Sequence, residues 1–256
     1  MKMKILFCLA LPVLALSLDA QSPEPAPLAH GNVPGEPHHH LKIDNEYIRA
    51  YYVEVPPHGE TQLHQHDHDY LFVSLGPADV INAVLNKPET HLVLKDGETH
   101  FTRGGFAHVA RNLSDAPFRN ITIELLKPQG EPQNLCAQIV FGSATGRCDK
   151  TLGSVREGRM FSVEPQLETD EINLDLVRFG PQPASSKIAL PAESLLIALG
   201  DSELQVYLDG KPVKKLRGGE ITWVDPGSHG AVSNRSKKPS AYLQLSFKGP
   251  GGNASR

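Results

Sequence analysis

The chain carries one pattern twice, and this restricts its fold more than any other feature. "DYLFVSLGPADV" from Asp69 lines up with "ESLLIALGDSEL" from Glu193, each an acid followed after six residues by glycine, Gly76 and Gly200. Lys87-Pro88 falls on Lys211-Pro212 at the same offset of 124, and a two-residue shortening then sets the offset to 122. At that offset Gly97 meets Gly219, Gly105 meets Gly227 and Asn112 meets Asn234. Each copy spans roughly 80 residues, which predicts two tandem units of one fold.

Both copies are built of short apolar runs between turn residues. "IRAYYVEV", "YLFVSL", "VINAVL", "THLVL" and "NITIELL" occupy the first copy, and "INLDLVRF", "SLLIAL", "ELQVYL", "EITWV" and "AYLQLSF" the second. No run holds a helical period over three turns, so the expected class is all-β. Asp96-Gly97 reads as a hairpin turn between two strands.

The ends of the chain read differently. Lys2 and Lys4 precede the apolar run "ILFCLALPVLAL", and "SLDA" supplies small residues for cleavage after Ala20 or Ser17. Residues 1–20 therefore read as a secretory signal peptide, which implies export to a periplasmic or extracellular space, with no membrane span afterwards. Residues 21–41 are rich in proline and read as a flexible leader holding the triple His38–His40. The first unit is expected over 42–130, an intervening segment over 131–171, the second unit over 172–249 and a tail over 250–256. Cys136 and Cys148 lie in the intervening segment and read as a small disulfide in an oxidising compartment. Lys+Arg 25 against Asp+Glu 29, with no basic run, leaves nucleic acid a poor partner.

"LHQHDHDY" places His64, His66 and His68 at alternate positions, which on a strand share one face. A row of imidazoles on one face is either a solvated polar edge or part of a metal site. The repeat bears on this choice. His64 and His66 fall opposite Ile188 and Leu190, and His108 opposite Gly230, while the glycines and the asparagine recur in both copies. Residues lost together from an equivalent framework read as a set, and the set reads as a site.

These residues resemble the two signature motifs of the cupin superfamily. The first motif is Gly-x5-His-x-His-x3,4-Glu-x6-Gly. Here Gly59 is followed by four residues, then His64-x-His66, with Asp69 in the Glu position and Gly76 six residues beyond. The second is Gly-x5-Pro-x-Gly-x2-His-x3-Asn. "GETHFTRGGFAHVARN" matches it at Gly97, Gly105, His108 and Asn112, with Arg103 in the Pro position. The resemblance covers residues 42–127 well and extends over 172–248 as a degenerate copy. It implies two tandem jelly-roll β-barrels, a bicupin, with a metal-type first barrel. His64, His66, Asp69 and His108 would then hold a divalent transition metal (Fe, Mn, Ni, Cu or Zn).

The acidic position is open. On an unbroken strand Asp69 points away from the histidines, and a bulge after His66 would be needed to turn it inward. His68 or Tyr70 are the substitutes, and a site of three histidines without a carboxylate is a further alternative. Arg49 and Arg103 read mainly as ion-pair residues, and Asn112, Asn120, Asn234 and Asn253 begin N-x-S/T sequons. Three functions follow from such a barrel. One is an exported metal-dependent dioxygenase acting on a small organic molecule, with Asp69 or Tyr70 moving a proton. The others are a protein that binds or senses a small ligand, and a structural or storage bicupin. A homodimer is among the assemblies the resemblance leaves open.

Overall fold

The computed structural model describes residues 31–134, 138–139, 156–158, 161–180, 188–191 and 193–249. The signal segment, Cys136, Cys148 and the tail lie outside these residues. The first copy contributes β1 (Gly31–Asn32), β2 (His39–Asp44), β3 (Ile48–Val55), β4 (His64–His66), β5 (Tyr70–Ser74), β6 (Ala78–Val84), β7 (Thr90–Leu94), β8 (Thr99–Thr102), β9 (Phe106–Asn112) and β10 (Phe118–Leu125). Short strands β11 (Gln133–Asn134), β12 (Gln138–Ile139) and β13 (Arg156–Gly158) follow. The second copy contributes β14 (Phe161–Glu168), β15 (Ile172–Phe179), β16 (Ile188–Leu190), β17 (Ser194–Leu199), β18 (Glu203–Leu208), β19 (Lys211–Arg217), β20 (Ile221–Val224), β21 (Gly230–Asn234) and β22 (Ser240–Phe247).

Each copy folds as two sheets closed over one interior. In the first barrel β1-β4-β9-β6-β7 faces β12-β8-β5-β10-β3-β2; in the second β16-β21-β18-β19 faces β11-β14-β15-β22-β17-β20. Among the described residues there is no α-helix, only a 3-10 turn at Val33–Gly35, so none is long and apolar enough to cross a membrane. The architecture is the pair of jelly rolls that the resemblance implies, one for each copy of the repeat.

The landmarks that define the repeat are the residues the backbone requires. Gly97 and Gly219 have φ of 73° and 83°, and Gly105 and Gly227 of 86° and 78°, the left-handed region that penalises a side chain. Asn112 and Asn234 tie their corners down in the same way. Asn112 Nδ2 donates to Ala116 O at 2.8 Å and Pro56 O at 3.1 Å. Asn234 Nδ2 donates to Lys238 O at 2.9 Å and Gly180 O at 3.1 Å. Both are buried, so these two sequons serve the barrel corners.

Strand pairing begins earlier in both copies than the run pattern marks. Within the stretch read as a leader, Gly31–Asn32 pairs with β4, and β2, which starts there at His39, pairs with β3. The stretch before the second unit supplies β14, paired with β15. Asp96-Gly97 does not close a hairpin. β7 pairs with β6 and β8 with β5, in different sheets, so this turn carries the chain across the barrel edge.

The two barrels share a core. Ile48, Leu71, Phe101, Ile121 and Ile123 from one pack with Ile172, Leu195, Ile197, Leu243 and Leu245 from the other. The larger sheets thus pack face to face, and alternation sends their other faces into the barrel interiors. In β10 this reverses the usual polarity: Ile121, Ile123 and Leu125 join the shared core, while Asn120 and Thr122 line the first barrel's cavity. The joint is pseudo-symmetric. A Cβ on Gly97 would lie 2.8 Å from Leu199 Cδ1, and one on Gly219 would lie 3.3 Å from Leu75 Cδ1.

Candidate metal centre

Three of the sequence-predicted residues converge inside the first barrel. β4 and β9 are antiparallel neighbours that place His64 directly opposite His108, and His66 follows His64 on the same face. His64 and His66 are each 1 % exposed and His108 is 8 % exposed. Ring centroids lie 4.6 Å apart for His64–His108, 5.1 Å for His64–His66 and 5.2 Å for His66–His108. β4 ends at His66, so His68 leaves the row and sits half-buried in the turn before β5.

A fourth histidine comes from the stretch read as leader. His39 reaches across from β2, its ring centroid 4.8 Å from that of His64. His39, His64 and His66 each offer a ligand nitrogen within 4.8 Å of the others. Its neighbour Glu36 is buried as well. The triple "HHH" looked like low-complexity sequence. The available signal was strand alternation in "HHLKID", which puts His39 and Leu41 on one side and His40 on the other.

The hydrogen bonds around these rings fix where their lone pairs point. His64 Nδ1 donates to Gln62 O at 2.8 Å, His108 Nδ1 to Asn82 Oδ1 at 2.6 Å and His39 Nδ1 to a Glu36 carboxylate oxygen at 2.6 Å. Carbonyl and carboxylate oxygens only accept, so each of these three rings keeps its Nε2 lone pair for the cluster. His66 Nδ1 has no hydrogen-bond partner among the described residues and lies 3.8 Å from Glu124 Oε1.

Burial drives the protonation of His64 down to about 4, and that of His66 and His108 well below the ordinary histidine range; neighbouring imidazoles add to the effect. The rings are therefore neutral near pH 7. His64 Nε2 and His108 Nε2 stand 3.2 Å apart, two acceptors with no proton between them. Two nitrogens ~2.1 Å from one ion are separated by about 3.0–3.4 Å, so the pair matches a shared cation. The donor set fits a divalent transition metal: three buried, neutral imidazoles, two of them, His64 and His108, braced from behind.

Asp69 is not a member of this group. Oδ2 accepts from Arg103 Nη1 at 2.8 Å and Oδ1 from the Gly104 amide at 3.0 Å, so both oxygens are engaged on the other face of the strand. Arg103 also donates to Gln129 O and Gly130 O. The two motif positions at which this chain carries another residue type, Asp69 and Arg103, thus pair with each other. Asp69→Asn is expected to leave metal content unchanged and to lower stability by about 1–2 kcal/mol, seen as a drop in melting temperature. Loss of metal in that variant would restore Asp69 as a ligand.

Tyr70 does belong to the site, as a wall. Its ring stacks on His66 with centroids 4.0 Å apart and planes within 17°. Burial pushes its hydroxyl above the ordinary tyrosine range, which holds its proton in place at neutral pH. Glu124, absent from the sequence candidates, is a buried acid beside His66 whose carboxyl burial pushes up to about 7. It lay hidden in "NITIELL", where the apolar residues drew the reading. Arg49 stands 4.0 Å from Glu124 and 3.6 Å from Asp44, an ion-pair residue at the surface.

Among the described residues the second barrel has no such set. Val177, Leu190, Leu196, Val206, Val232 and Tyr242 fill its interior. Leu190 stands where the first copy has His66 and, at the offset of 124, Val206 where it has Asn82.

No family model and no curated protein matches the chain. Solved structures do. Over 84% of its length the chain is similar to 99% of AerE from Microcystis aeruginosa, with a TM-score of 0.56 and 10% identity. Over 80% it is similar to 75% of a salicylate 1,2-dioxygenase from Pseudaminobacter salicylatoxidans, with a TM-score of 0.54 and 11% identity. Over 82% it is similar to 88% of a cupin 2 conserved barrel domain protein from Leptotrichia buccalis, with a TM-score of 0.52 and 11% identity. With two face-to-face jelly rolls, one carrying buried histidines and the other filled with apolar side chains, the chain has the fold of the two-barrel cupins.

Proposed function

We propose that this chain is an exported metal-dependent dioxygenase, with one divalent transition metal held by His64, His66 and His108 in the first barrel. The observation that carries the reading is the pair of facing Nε2 lone pairs 3.2 Å apart in a buried, neutral cluster. The similarity in fold to a salicylate 1,2-dioxygenase supports the choice of reaction class. A metal in such a site supplies a Lewis-acid and redox centre with positions open to oxygen and substrate.

The chain's own residues would do the rest. Gln62 O, Asn82 and Glu36 hold three rings in one orientation. Val53, Phe72, Val80 and Phe118 give the cavity an apolar wall. Asn120, whose oxygen accepts the Thr122 hydroxyl at 2.8 Å, has its amide nitrogen to offer a ligand.

The test is oxygen uptake by metal-loaded protein with a panel of small organic substrates. Uptake that depends on substrate and is lost in His108→Ala is expected. Undiminished uptake in His108→Ala would sink the assignment. A second reading, ligand binding without turnover, is favoured by the small size of the cavity. It predicts ligand-dependent spectral changes at the metal with no oxygen consumed.

A further inference from the structure

The N-terminal arm brings His39 to the wall of the cavity and packs into the first barrel. β1 runs parallel to β4 with Gly31 opposite His64, and Val33 is buried in the core of the first barrel. Glu36 anchors the arm from within: Oε2 accepts from His38 N at 2.8 Å and His39 Nδ1 at 2.6 Å, and Oε1 accepts from Gln62 N at 3.1 Å. With the arm in place the space beside the histidines is about 50 Å³. Sites for drug-sized ligands run to roughly 300–1,000 Å³, whereas one water needs about 10–15 Å³ on the same measure.

We infer that His39 is a fourth metal ligand and that its arm sets the size of molecule the metal accepts. With His39 in place the site takes a ligand of about three to five non-hydrogen atoms, and a bulky chelating ligand enters only if His39 and the arm leave. Glu36 is the positioning residue that holds His39 there. The inference rests on the metal reading above, and it names the substrate class that reading leaves open: small, with few atoms near the metal.

The experiment uses the full chain loaded with Cu(II), as wild type, Glu36→Gln and His39→Ala. Each is titrated with azide and with 4-nitrocatechol, followed by visible absorption, and coordinated imidazoles are counted by pulsed electron paramagnetic resonance. Circular dichroism melts identify which variants are folded, and Glu36→Gln keeps the arm's sequence nearly intact if His39→Ala is not. Wild type is expected to show four imidazoles, to bind azide, and to bind 4-nitrocatechol about ten-fold or more weakly than the variants. His39→Ala should show three imidazoles. Equal 4-nitrocatechol affinity in all three proteins, or an unchanged imidazole count in His39→Ala, would overturn the inference alone. Absence of bound metal from the wild type would overturn the metal reading and this inference with it.

Discussion

His64→Ile/His66→Leu is expected to empty the metal site while leaving a folded protein. Metal content should fall from about one equivalent per chain to less than about a tenth, measured by mass spectrometry of the purified protein. The substitutions remove two of the inward-facing nitrogens, including one of the pair 3.2 Å apart. They introduce what the second barrel carries at the same places, Ile188 and Leu190, so the framework is known to accept them. Chelation should lower the melting temperature of the wild type by about 10 °C, because metal binds only the folded chain. The variant should melt at one temperature with or without chelator. A full equivalent of metal in the variant, with His38, His39 and His40 still present, would place the binding site elsewhere.

Phe101→Ala should destabilise both barrels at once, by about 3–5 kcal/mol, or roughly 10 °C in melting temperature. Phe101 is fully buried, and it lies in the core shared by the two large sheets rather than in either interior. Trp223 belongs to the second barrel and packs against that same core, so its fluorescence reports on damage made in the first. Far-ultraviolet circular dichroism and Trp223 fluorescence should shift together, in a single transition. Two separated transitions, with Trp223 unmoved, would show that the barrels fold independently and that the shared core contributes little.

Much of the fold was legible because the repeat is written in residues with backbone duties. Glycines at positive φ and corner asparagines cannot drift without breaking turns, so their spacing survives where side-chain identity does not. His64, His66 and His108 were legible for the opposite reason, as departures from that common frame. Asp69 misled because spacing to the next glycine says nothing of which face a side chain takes; the end of β4 at His66 leaves it on the far face. His39 was illegible as a member of the cluster because His64 and His66 are distant in sequence, and Glu36 because its neighbour His39 reads as leader until the fold buries both. Glu124 was obscured by a strand whose apolar side faces the other barrel instead of its own interior.

The face-to-face packing of the larger sheets has a consequence for how the metal barrel can evolve and be handled. What two separate chains would achieve by colliding, this chain achieves by connection, so the pairing follows first-order kinetics and is indifferent to dilution. A partner held by covalent linkage cannot be lost to dilution. The second barrel, its interior filled with apolar side chains, serves as a permanent buttress optimised for cohesion, while the first keeps the costlier interior in which the buried histidines stand.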